Sequence, residues 1–138
     1  MSHQVLIVRA GGQLYALPSE HVREITSPPP MTRLPGAPGD ILGLANLRGQ
    51  FFTVLDLAAR LTGTPAAPAD PDVVVLGVDG KTIGLLVEEV REVVTLDEVA
   101  SESSIGRGEG SLVAGTGHFG EAVVIEVDVQ ALVRQVLA

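Results

Sequence analysis

The sequence predicts an all-β fold, and three observations carry that reading. Short runs of Val, Ile and Leu bounded by Gly, Pro, Asp and Asn recur from end to end, which is the strand-and-turn pattern. Helical spacing is confined to two short segments. The stretch GQLYALPSEHVREI, residues 12 to 25, returns as GKTIGLLVEEVREV, residues 80 to 93, at an offset of 68.

Taken in order, the expected strands are QVLIVRA (4 to 10), LYALP (14 to 18), HVREIT (21 to 26), GLANLR (43 to 48) and FFTVLD (51 to 56). They continue with VVVLGV (73 to 78), TIGLLV (82 to 87), EVREVVT (89 to 95), LVAGTG (112 to 117) and AVVIEV (122 to 127). After Asp56 the run LAARL predicts a short helix. After Asp128, the residues Val129, Leu132, Val133, Val136 and Leu137 recur at helical spacing. Both aspartates suit the N-cap, where a carboxylate accepts a hydrogen bond from an otherwise unpaired backbone N–H.

Proline marks the joints: PPP at 28 to 30, PGAPGD at 35 to 40 and PAAPADP at 65 to 71. The last reads as a linker between halves of roughly 10–65 and 72–127. FFTVLDLAARL, 51 to 61, lines up with VVIEVDVQALV, 123 to 133, at an offset of 72. The two matches run in the same order and predict two copies of one five-stranded unit. About 60 residues alone give a marginal core, so each small sheet has to close or pack on its copy.

Composition removes several function classes. Of 138 residues, 46% are apolar but only 3% aromatic, and the formal charge is −8. Nucleic-acid binders need clustered basic residues and stacking surfaces, and neither is present. The chain has no cysteine, which excludes disulfides, thiolate metal sites and cysteine nucleophiles. His3, His21 and His118 fall in no metal-ligand spacing and read as surface or turn residues. No apolar run reaches the roughly 20 residues of a membrane span, and the N-terminal stretch has no signal-peptide pattern.

The chemical motifs are weak. GTGHFG, 115 to 120, fits a dinucleotide-loop spelling, yet a strand and not a helix is expected after it, so it reads as a hairpin turn. SESSIGRGEGS, 101 to 111, lacks the setting of a phosphate loop and reads as a connection. Nothing in the sequence draws Ser19, His21 and Asp56 into a triad. The unusual residue is Arg48, alone in the apolar run ILGLANLRGQFFTVLDL. Either it snorkels to solvent from a strand, or Gly49 turns the chain and presents its planar fork of donors at a barrel rim.

That run, with Gly-x-x-Asn-x-Arg-Gly leading into an apolar strand that ends in Asp-Leu, resembles the signature of the CheW family of chemotaxis coupling proteins. LYALPSEHVREI, MTRLPGAPGDI, IGLLVEEVREVVTL and LVAGTGHFGEAVVIEVDVQALV resemble further parts of that family. The likeness covers nearly the whole chain and implies a stand-alone coupling domain of two packed, five-stranded, SH3-like β-barrels. It also implies a cytoplasmic adaptor without cofactor or catalysis, located at receptor arrays. The implied partners are the regulatory domain of a CheA-type histidine kinase and the cytoplasmic tip of a methyl-accepting chemoreceptor. Carried over by motif, Arg48 is the coupling arginine, with Asn46 and Gly49 supporting its turn. Val22, Glu24 and Ile25 match the first-half hairpin that faces the partners. The competing readings are a coupling-like protein that binds one partner only, and a small barrel that binds a ligand or acts as an enzyme.

Overall fold

The computed structural model describes residues 2–65, 68–97 and 112–137, so the segment SESSIGRGEGS lies outside the described residues. Among those residues the chain forms β1 (Ser2–Ala10), β2 (Gln13–Pro18), a 3₁₀ turn (Ser19–His21), β3 (Val22–Thr26), β4 (Met31–Thr32), β5 (Ile41–Leu47) and β6 (Gln50–Asp56). Helix α1 (Leu57–Thr62) follows, then β7 (Asp72–Val78), β8 (Lys81–Val87), β9 (Glu89–Asp97), β10 (Val113–Phe119), β11 (Ala122–Val127) and α2 (Val129–Leu137). Every expected strand and both helices are present. The strand not foreseen is β4, whose two residues are too few to show a period; it pairs with β5 at Met31↔Ala45. Asp56 accepts a hydrogen bond from the Ala59 N–H at 3.1 Å, and Asp128 from the Ala131 N–H at 3.0 Å, so both helices open on the expected caps.

One sheet runs β10-β11-β2-β1-β9 and the other β3-β7-β8-β6-β5-β4. Neither sheet follows the proline-rich joint. Residues 10–65 do not supply one and 72–127 the other, because each sheet takes the opening hairpin of one repeat and the remaining strands of the other. The hairpin β1–β2 joins β9 along one edge and β11, in parallel, along the other. The hairpin β7–β8 joins β3 and, in parallel, β6. Sequence similarity marks the copies, but either hairpin offers the same edges, so similarity does not say which sheet receives it.

The two offsets nevertheless match the structure residue by residue. Val8↔Tyr15 in β1–β2 corresponds to Leu76↔Ile83 in β7–β8. The parallel pair Thr53↔Ile83 corresponds to Ile125↔Tyr15. Even the bulges are duplicated: the register slips at Arg23 in β3 and at Arg91 in β9, and again at Leu42 in β5 and Ala114 in β10.

Strands β1 and β7 are buried on both faces, which explains their near-continuous apolar runs. Leu6 and Val8 face a central core shared with Tyr15, Leu17, Val74, Leu76, Ile83 and Leu85, closed by Leu57 of α1 and Leu132 of α2. Val5 and Ile7 face a smaller core with Ala16, Leu96 and Val124. On the other sheet Val73 and Val75 do the same with Ala45, Phe52 and Val54. Three cores hold one molecule, each sheet curling around its own and the two sharing the third.

Candidate partner-binding site

The hairpin β5–β6 closes between Leu47 and Gln50, leaving Arg48 and Gly49 as a two-residue turn. Arg48 therefore lies just past the strand expected to contain it. A turn of this length has a twist that suits its strands when both central residues have positive φ. Arg48 has φ +52° and Gly49 φ +85°. The Asn46 side chain accepts a hydrogen bond from the Gly49 N–H at 3.0 Å, fixing the turn. The left-handed region costs a residue with a Cβ about 1 kcal/mol, so Asn, Asp and Gly normally fill it. The corresponding first positions of the other hairpins hold Gly11, Asp79 and Gly120. Arginine is the exception among the four.

The guanidinium leans over to β3, where Arg48 Nη2 donates to Glu24 Oε1 in an ion pair. Both groups are accessible to water, so the pair adds little to stability and mainly sets the direction of the arginine. It joins the β5–β6 turn to the edge strand β3. Each of these elements also presents an uncovered apolar side chain: Ile25, 45% exposed, and Phe51, 63% exposed. The rim thus combines an oriented cation and a carboxylate with the exposed Phe51 at the start of β6, while Ile25, one residue from Glu24, faces the opposite side of β3.

The residues expected from sequence divide into two groups. Glu24, Asn46, Arg48 and Gly49 come together through the Arg48–Glu24 ion pair and the Asn46 turn hydrogen bond, whereas Ile25 is exposed on the other side of β3. Val22 is half-buried and packs against the central core, so it supports the start of β3. Phe51 was missed. Its signal is strand parity: Phe52 faces the core, so Phe51, one position away, faces out.

The other chemical candidates are otherwise employed. Asp56 is buried in its helix cap, and the ring of His21 lies 3.8 Å from Glu20, so they form no triad. His3 lies on β1 with its side chain 38% exposed, a surface position as expected, and its Nε2 is 2.6 Å from Glu126 Oε2. Asp40 and Arg60 form an ion pair that ties α1 to the approach to β5. Among the described residues no cluster of three or more His, Cys, Asp or Glu is able to hold a metal ion. No helix among them is long and apolar enough to cross a membrane.

Comparison with known proteins agrees with this fold. Residues 4–137 match the model of the CheW-like domain family. The chain is 38% identical over 98 residues to a probable chemotaxis protein CheW of Rhizobium etli, covering 70% of this chain and 63% of that protein. It is 28% identical over 137 residues to chemotaxis protein CheW of Klebsiella aerogenes, covering 96% and 82%. The crystal structure of the scaffolding protein TtCheW from Thermoanaerobacter tengcongensis superposes with a TM-score of 0.81 at 25% identity, over 93% of this chain and 90% of that one. The match reaches less than two thirds of the length of the rhizobial relatives. With this fold, its duplicated barrels and a family match across nearly the whole chain, the protein belongs to the CheW-like domain family.

Proposed function

We propose that this protein is the adaptor that couples methyl-accepting chemoreceptors to the regulatory domain of a CheA-type histidine kinase, in the cytoplasm at receptor arrays. The partner-facing residues are Glu24, Ile25, Asn46, Arg48 and Gly49, supported from below by Val22 and extended by Phe51. The observation that carries this reading is Arg48 at φ +52°, where its internal counterpart is Gly120. A turn built for stability has no use for a long cation there, whereas a docking rim does: backbone strain of this kind is kept where a side chain has to point in one direction.

Apolar contact at Ile25 and Phe51 supplies affinity, and the Arg48–Glu24 pair supplies orientation. Signal passes only if the adaptor binds the kinase-on and kinase-off arrangements differently, because equal binding shifts no population. The test is calorimetry of the full chain with a receptor tip fragment and with a kinase regulatory domain, separately and then together. Simultaneous binding that weakens in Arg48→Glu and Phe51→Ser, with the melting temperature retained, is the expected result. Binding to one partner only would reduce the role to capping or competition.

A further inference from the structure

Strand β7 carries a glycine that its backbone does not require. Gly77 is not among the glycines of positive φ, so the reason for it is space. A Cβ there would overlap Arg23 Nε and stand 3.0 Å from Arg23 Cζ and Nη2. The guanidinium of Arg23 thus fills the place of the missing side chain. Arg23 is the extra residue of the bulge in β3, and a bulge re-aims the side chain it carries.

This seat is continuous with the Arg48 rim. Gly77 shares a face of β7 with Val75, the register partner of Glu24. Its own register partner is Thr82, whose Oγ1 accepts a hydrogen bond from Gln50 Nε2 at 3.2 Å. Gln50 follows the turn that holds Arg48, and Arg48 reaches back to Glu24, the residue after Arg23. The ring is closed, but its members are not equally engaged. Arg48 pairs with Glu24 and Gln50 with Thr82, whereas Arg23 forms no ion pair or hydrogen bond among the described residues. Glu20, three residues before it, lies 3.8 Å from His21 Nε2 instead.

The repeat shows that the fold does not impose this state. At the offset of 68 the counterpart of Arg23 is Arg91, which also occupies a bulge but has Glu89 at 3.6 Å. The position of Glu89 is held in the other copy by His21, and that of Arg9 by Gly77. One copy answers its arginine with a carboxylate of its own; the other clears a seat for the arginine and removes the carboxylate. A guanidinium is weakly hydrated and presents a planar fork of donors, so a carboxylate can meet it through two parallel hydrogen bonds.

We propose that Arg23 receives a glutamate or aspartate side chain of a protein partner and is the second cation of the rim. The identity of that partner rests on the adaptor reading; the chemistry of the seat does not. Arg48 is engaged by Glu24 and sets direction, while Arg23 has its donors available to the incoming acid.

The test uses the full chain and begins with calorimetry against a receptor tip fragment and a kinase regulatory domain. Arg23→Gln should weaken binding to at least one of them on the order of tenfold at low salt and less at high salt, with the melting temperature unchanged. Arg91→Gln, which removes the arginine answered by Glu89, should leave both affinities as they are. In parallel, the ¹⁵N-labelled chain is titrated with N-acetyl-glutamate amide and with its uncharged isostere N-acetyl-glutamine amide while the arginine Nε–H signals are read. The Arg23 signal should move with the acid alone. Unaltered affinity in Arg23→Gln, an equal loss in Arg91→Gln, a lowered melting temperature in Arg23→Gln, or no acid-specific shift at Arg23 would each overturn the proposal. If the wild-type chain binds neither protein, the adaptor reading fails and takes the partner's identity with it, while an acid-specific shift at Arg23 upholds the carboxylate seat itself.

Discussion

In the six-stranded sheet Phe52 packs over Gly84; at the equivalent points of the five-stranded sheet Val124 packs over Ala16. A Cβ on Gly84 would stand 3.0 Å from Phe52, Val54 and Val73 side-chain atoms, so the large ring and the missing methyl are one choice. A few ångströms along, Val54 is fully buried, and its counterpart Glu126 is paired with His3. The rim differs too, Arg48 answering to Gly120. Yet registers, bulges and caps are the same in both copies. Backbone hydrogen bonding and core volume are what the repeat preserves, and the residues that depart from it are the ones to examine for function.

The strongest way to break the comparison is to exchange the departures. Val54→Glu puts a carboxylate where no histidine meets it, since the position of His3 is taken by Pro71; it should cost about 3 kcal/mol or more in urea unfolding. Glu126→Val, the reverse exchange, should stay within about 1 kcal/mol of wild type, because an apolar isostere replaces a paired carboxylate at little cost. A large loss there would make the His3–Glu126 pair structural.

Next comes the packing exchange. Gly84→Ala alone should cost about 1 to 3 kcal/mol by overpacking. Combined with Phe52→Val, which recreates the Val124 and Ala16 arrangement, the loss should fall short of the sum of the single losses by roughly 1 kcal/mol in a double-mutant cycle. Strict additivity would mean that the two barrels do not solve the same volume problem.

Arg48→Gly converts the rim turn to its counterpart. Relief of positive φ offsets the loss of an exposed ion pair, so stability should stay the same or rise by up to about 1 kcal/mol while partner binding weakens. A clear drop in stability would show that Arg48 holds the barrel together.

The smallest effect is one of pH. Tyr15 occupies the central core where its counterpart is Ile83, and burial pushes its phenol above the ordinary 10.0. The unfolded chain then ionises first, so stability is fully present below about pH 10 and falls as pH rises through the folded value. Tyr15→Phe should flatten that alkaline decline, and an unchanged decline would assign it to other groups.

Much of this was legible along the chain. Strand positions followed from period and turn chemistry, and the caps at Asp56 and Asp128 followed from type and place, because a helix end leaves the same unpaired N–H groups in any context. The family motif pointed to Arg48, and the two offsets aligned the repeats to the residue. The exposure of Phe51 was available through parity but depended on knowing that Phe52 faces inward.

The sequence by itself thus determined the all-β class, the two helix caps and the repeat, which rest on local period, residue type and similarity between segments, while the turn at Arg48 stayed open until the hairpin register was known. The tertiary structure alone decided that each sheet borrows its opening hairpin from the other repeat. It also decided that Arg48 meets Glu24, 24 residues away, and that Glu126 meets His3, 123 residues away. The physical reason is degeneracy: two similar hairpins present equivalent edges and equivalent apolar faces. Only the joint closure of three cores selects which edge each hairpin fills, and with it which distant side chains come together.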